Sequence, residues 1–262
     1  MAATHSPIRQ RRRPAWYPIR HVLIGVGLLA FWELLVRIGL LPDYVLSSPS
    51  EIPPAMGKIV SAGSFWSEMF VTLQVVLLGM LLGGGAAILT GLVVGRRSAI
   101  RQAIDPVVLG VYSMPSIALV PLFLLWLGFG IWPAIVVGAL HAYPPMLLAT
   151  YEAIDQEDRA FANSIVLMGG RFRDVVRFVR LPGAVPRLLP AIRQSLATML
   201  AISVASGMIA PTGTIGHTLV QRMNRFDAAS IIALVLILGA IGVVFNLFVD
   251  VFERRVRRWR PA

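Results

Sequence analysis

Residues able to do acid–base or nucleophilic chemistry are few and scattered. The 262-residue chain holds four histidines, His5, His21, His141 and His217, and no cysteine. Thiol catalysis, disulfides and thiolate metal sites are therefore excluded. Only His141 falls deep in an apolar stretch, so no His, carboxylate and Ser constellation of an intramembrane enzyme comes together. No Gly-Lys-Ser/Thr follows any glycine cluster, which excludes a Walker-type phosphate loop. No cofactor or metal site is expected. Glu33, His141 and Asp250 are the ionisable groups considered for a proton relay, and they are spread over three apolar stretches. Glu33 and Arg37 are four apart and can pair on one helical face. Gln74, Gln194 and Asn246 are further polar groups in or near apolar stretches, where such groups usually face protein or water. A softer pattern is the stripe Ser195, Thr198, Ile202 and Ser206, at roughly helical spacing. It fits either hydrogen bonding between helices or the wall of a translocation path. Pro115 and Pro121 should kink or break the stretch that holds them, and broken helices in membranes tend to line cavities or hinges. Pro115 is therefore a further candidate for the path.

These residues sit in a chain that is 56% hydrophobic and 14% charged, with a mean hydropathy of +0.74. A soluble domain carries about 25% charged residues, and disorder is excluded by the apolar content. The composition describes one all-α polytopic membrane domain. A membrane helix needs about 20 mostly apolar residues. Six stretches qualify: residues 19–41, 69–94, 104–127, 131–151, 188–210 and 229–252. The first reads as an uncleaved membrane helix, too long for a signal-peptide core and followed by no small-residue cleavage site. In the second, Gly79 and Gly83, and Gly91 and Gly95, are spaced for close helix packing.

Charge supports the count of six. The net charge is +11, and Lys58 is the single lysine beside 23 arginines. In a soluble protein this balance would suggest nucleic acid; beside apolar stretches it orients the chain and meets anionic headgroups. Twenty of the 24 basic residues fall in the N-terminal tail, the 95–103 and 152–193 segments and the C-terminal tail. Six spans put all of these on one side, and the positive-inside rule makes that side cytoplasmic, with both termini there. Residues 42–68, 128–130 and 211–227 become the opposite connections. Ser50 is expected to cap a short surface helix reaching Ala62. The organisation that follows is a basic tail over 1–18, a first helix with its external segment over 19–68, a core over 69–252 containing a long cytoplasmic loop over 152–190, and a second basic tail over 253–262.

That loop carries the clearest functional pattern, since connections this long are usually functional or structured. Gly169-Gly170 should end one helix and begin another. Beyond it Phe172, Val175, Val176 and Val179 recur at three- and four-residue spacing, with Arg171, Arg173, Asp174, Arg177 and Arg180 on the other faces. Leu181-Pro182 and Pro186 are expected to stop and redirect the chain. The result is a short basic amphipathic helix that can lie on headgroups or dock into a groove on a partner.

Gly169, nine residues, then Val179-Arg180-Leu181-Pro182 resembles the second half of the "EAA" loop of permeases in binding-protein-dependent ABC importers. That pattern reads Glu-Ala-Ala, three residues, Gly, nine residues, Ile-x-Leu-Pro. Asn163, Ser164 and Ile165 stand at the Glu-Ala-Ala positions, and Gly207 stands where an acidic residue is common. The stretches Met114-Pro115, Val120-Pro121-Leu122, Trp126-Leu127-Gly128-Phe129-Gly130, Ser206 to Ala210 with Gly216, and Phe252-Glu253-Arg254-Arg255 with Trp259-Arg260 are similar to flanking parts of the same family. The resemblance covers about residues 66–260 and is nearest to the nitrate, sulfonate, taurine and bicarbonate branch.

The resemblance implies a type I ABC importer permease fold in a bacterial inner membrane. It implies a separate ABC ATPase subunit in two copies, a second permease copy forming a homodimer, and an external substrate-binding protein. The chain would itself be no enzyme, and no nucleic acid is involved. Asn163, Ser164, Ile165, Gly169, Gly170, Arg171, Phe172, Val179, Leu181 and Pro182 would form the ATPase-docking loop. The solute would be a small organic or inorganic anion. An ion-coupled secondary carrier is the alternative; it would show inverted repeats and a midplane ionisable site, and the sequence has neither.

Overall fold

The computed structural model describes residues 17–257 apart from 41, 43, 44, 96 and 156–158; for 17–22, 159–162, 172, 180–182, 256 and 257 it describes the backbone alone. Among the described residues the regular structure is entirely helical. Helix α1 (Tyr17–Arg37) leads through a 3₁₀ turn (Pro49–Glu51) to α2 (Ile52–Ser61) and the long α3 (Gly63–Val94). Then come α4 (Ser98–Tyr112), α5 (Ser116–Leu127) and α6 (Trp132–Asp155). A smaller pair, α7 (Arg159–Leu167) and α8 (Phe172–Val175), precedes a π turn (Val176–Arg180), α9 (Leu181–Ile209), α10 (Ile215–Asn224) and α11 (Ala228–Arg257).

Four helices are long and apolar enough to cross a membrane: α3, α6, α9 from Gly183 and α11 to Arg255. The bent pair α4–α5 adds a fifth candidate as a broken span. Helix α1, apolar and exposed along Leu23, Ile24, Val26, Leu28 and Leu29, overlaps the first of the six expected stretches and is not among these five candidates.

The centre is α3 against α6, with α9 packed on both. Glycine makes this possible. A Cβ on Gly83 would lie 2.2 Å from the Ala139 carbonyl oxygen, and one on Gly79 would lie 2.0 Å from Met199 Cε. Gly138 receives the same methionine, and Gly91 faces Thr150. Met199 of α9 is thus a knob in a hole walled by two glycines, fully buried. In lipid, where apolar surfaces gain little by leaving solvent, such close backbone contact is what holds helices together. Helix α5 closes one side through Val120, Val137 and Ile202. Helix α2 packs under α11 through Ile52, Ala55, Ile59, Ala233 and Leu234.

Two expectations are corrected, and one is met. The break expected in the third stretch is present: α4 and α5 meet at 93° across Ser113–Pro115. Pro115 supplies no N–H and takes the extended backbone that precedes α5, whereas Pro121 sits inside α5 without ending it. Ser50 does not cap α2; its amide and hydroxyl both donate to Glu33, at 3.1 and 2.8 Å, tying the external segment to α1. Leu181-Pro182 and Pro186 do not redirect the chain. The π turn runs straight into α9, because a widened turn re-routes the bonds that a proline cannot donate. Residues 211–227, expected as a connection, contain α10; Thr214 just before it and Ile215 at its start are buried, and the helix folds back on α9 and α3.

Candidate functional site: the Arg-rich segment and the open face of α9

The segment between α6 and α9 is built around a single turn. Helix α7 ends at Leu167, and Gly169 turns the chain at φ +83°. That left-handed conformation costs an L-residue about 1–2 kcal/mol. Gly170 is needed for space: a Cβ there would lie 2.5 Å from Ile165 Cγ2 and 2.7 Å from the Ile165 carbonyl oxygen. Its amide donates to that carbonyl at 2.9 Å. Asp174 accepts the Arg171 amide at 2.8 Å and so starts the next helix. The chain then returns, and Val175 and Val179 pack on Ile165.

This brings Ile165, Gly169, Gly170 and Val179 into one hairpin, with Asn163, Ser164 and Arg171 exposed on its outside. For Phe172, Leu181 and Pro182 the side chains lie outside the described residues. The expected apolar face is present at Val175 and Val179, which face inward. What the periodicity did not find is the tip. Leu167 and Met168 are 88% and 87% exposed, with Val166 and Phe178 also uncovered. The missed signal was the run Ile165–Met168 immediately before the glycines.

A second feature adjoins the hairpin. Arg101 Nη1 donates to both Asp155 oxygens, at 3.1 and 3.0 Å, and to the Gly95 carbonyl at 3.3 Å. Its guanidinium also stacks over Tyr151, 4.1 Å from the ring centre. One arginine therefore fastens the α3–α4 turn to the end of α6, beside a cavity of about 570 Å³ that Asn163 also lines. In the sequence Arg101 reads as one of many basic residues, and its role depends on an aspartate 54 positions away.

The path candidates on α9 divide. Ser195, Ile202 and Ser206 are buried inside the packing, at 1%, 2% and 0% exposure, and the hydroxyls of Ser195 and Ser206 have no partner. Thr198 is half-buried and donates back to the Gln194 carbonyl at 3.1 Å. Pro115 is exposed at the α4–α5 bend. The open face of α9 is a neighbouring stripe, Pro190, Gln194, Ala197, Ala201 and Met208. A helix pattern alone cannot tell which of two adjacent polar stripes is covered, and here the glycines of α3 and α6 draw the serine stripe inward.

Arg193, read from sequence as a loop residue, lies on α9. It bonds Asp250 at 2.5 Å and reaches Glu253 at 3.5 Å, both on α11. Among the described residues no group of three or more His, Asp or Glu could hold a metal ion.

Comparison with known proteins gives a consistent result. The family model for the binding-protein-dependent transport system inner membrane component matches residues 58–258. The chain is 24% identical over 252 residues to the putative aliphatic sulfonates transport permease protein of Bacillus subtilis (strain 168), covering 96% of this chain and 91% of that one. It is 26% identical to the riboflavin transport system permease protein of Chloroflexus aurantiacus, covering 97% and 95%. Among solved structures, a methionine ABC transporter in inward-facing conformations aligns with a TM-score of 0.61 at 22% identity, covering 73% of this chain and 93% of that one. A bacterial ABC transporter involved in alginate import aligns at 0.64 with 17% identity, covering 92% and 96%.

Proposed function

Because the chain belongs to the family of inner-membrane components of binding-protein-dependent transport systems, it is a permease subunit of an ABC importer, and we propose that it moves a small organic or inorganic anion. The sulfonate permease among its relatives supports an anionic solute; the riboflavin permease marks how widely solutes vary among such proteins. ATP hydrolysis falls to a separate subunit, and solute selection falls largely to an external binding protein. Two permease copies and two ATPase copies make the working unit, with six helices per permease and both termini in the bacterial cytoplasm.

The observation that carries the coupling role is the apolar tip at Leu167 and Met168. Two large apolar side chains left almost fully exposed outside the membrane-spanning helices cost free energy unless a partner covers them. Arg171, Arg173 and Arg177, exposed on the same hairpin, suit the polar rim of a docking groove. The hairpin that bears them is short, and the Gly169 turn and the Val175–Ile165 contact hold it rigid, so closure of two ATPases would reach the membrane as a push along α9. The π turn joins hairpin to α9 without a break, which gives the push a continuous lever.

Uptake into membrane vesicles tests the reading. Labelled taurine and nitrate are the probes, in vesicles holding the chain, its ATPase and its binding protein. Uptake of at least one is expected to need internal ATP and the binding protein, and to survive a protonophore. Uptake that ignores ATP and collapses with the ion gradient would favour the secondary carrier.

A further inference from the structure

Three polar side chains from three different helices form a line of contacts running inward from the open face of α9, with Gln194 exposed and Tyr112 and His141 half-buried, and none is used by the coupling hairpin. Gln194 Nε2 of α9 donates to the Tyr112 hydroxyl of α4 at 3.2 Å. The Tyr112 ring lies 5.7 Å, centre to centre, from the His141 ring of α6. His141 Nδ1 is buried with no partner. All three sit in apolar helices, where polar groups usually mark a path or a functional contact.

Their setting points the same way. Met199 is fully buried against Gly79 and Gly138. Gln194 lies five residues toward the Arg-rich end, about 7.5 Å at 1.5 Å per residue. Tyr112 is the last residue of α4, at the 93° break. Irregular backbone at membrane depth is tolerated where it lines a cavity or is covered by protein. An open cavity of about 480 Å³ adjoins Gln194, with Ala197, Asn246 and Arg193 on its wall.

We propose that Tyr112, His141 and Gln194 form an intramembrane station that hydrogen-bonds a small oxyanion-bearing solute in transit. This rests on the permease reading above. The Gln194–Tyr112 bond leaves the tyrosine proton and a second amide proton free to donate, and the imidazole adds a third group. Neutral donors suit a transit site, because a contact must be favourable enough to admit a solute and weak enough to release it. The nearby Arg193 is already bonded to Asp250 and Glu253.

The chain has no cysteine, so single thiols can be read cleanly. Gln194→Cys and Ala197→Cys are made in the full chain, expressed with its ATPase in membranes, with Leu247→Cys on the outer face of α11 as the control. Each is treated with anionic sulfonatoethyl and cationic trimethylammonioethyl methanethiosulfonate. The anionic reagent is expected to modify Gln194→Cys and Ala197→Cys at least tenfold faster than Leu247→Cys, and no slower than the cationic reagent after correction for free thiol. Equal rates at all three positions, or reaction with the cation alone, would overturn the station. Co-purification of the ATPase from the same membranes separates the two readings: a bound ATPase beside unreactive thiols defeats the station only, whereas no bound ATPase defeats the permease reading.

Discussion

Gly83 of α3 lies so close to Ala139 of α6 that an added Cβ would sit 2.2 Å from the Ala139 carbonyl and 2.7 Å from its Cα. Both obstacles are backbone, so neither can swing aside. Gly83→Ala should therefore force the two central helices apart and lower stability by several kcal/mol, above the usual overpacking cost of about 1–3 kcal/mol. Gly85→Ala, two residues on, meets nothing within 4 Å and should be neutral or slightly stabilising. Thermal unfolding of both variants in detergent checks the contrast.

Asp227 caps α11. Its Oδ1 accepts the Ser230 amide at 3.1 Å and its Oδ2 meets Arg222 at 3.3 Å. Burial works to raise this carboxyl, but the Ser230 donors and Arg222 outweigh it and hold it below the ordinary Asp value. A lowered value means the stabilisation is complete above the unfolded value of about 3.9 and is lost as pH falls through the native one. Amide exchange at the start of α11 should accelerate below about pH 4 relative to the other helices. Asp227→Ala should show that faster exchange at pH 7, at a cost of about 1 kcal/mol.

Arg193 joins α9 to α11 through Asp250 and Glu253, all three part-exposed. Arg193→Gln and Asp250→Asn should each destabilise the pair of helices modestly. A double-mutant cycle should return a coupling of about 1 kcal/mol or less, the size of a solvent-accessible ion pair. A larger coupling would mean that the pair is shielded from water in the membrane.

Much of this fold is legible in the sequence because membrane helices announce themselves by length and composition. The small-residue spacing at Gly79 and Gly83 foretells a close contact, and Gly169-Gly170 foretells a turn. Other features depend on residues far apart in the chain. Ser50 looks like a cap because it precedes a helix; its partner is Glu33, brought there by the packing of α1. Gly207 looks like the loss of an acidic residue, yet a Cβ there would lie 2.0 Å from Thr214 Oγ1 and 3.0 Å from the His217 amide. The folding of α10 onto α9 leaves no room for a side chain. The serine stripe on α9 misleads for a related reason. Ser195, Ile202 and Ser206 share a face, but only the position of Met199 against two glycines decides which face is inside. Gln194 is one position from that stripe and is open.

The central claim is that the hairpin around Gly169 seats an ATPase. It is tested most directly by co-purification from detergent-solubilised membranes. Wild type is compared with Gly169→Arg and with the double substitution Leu167→Glu, Met168→Glu, each checked for an intact fold by its elution and thermal unfolding. Wild type is expected to bring down an ATP-hydrolysing subunit, and both variants to lose it while remaining folded. A wild-type chain that recruits no ATPase in the presence of nucleotide, or folded variants that retain it in full, would contradict the account.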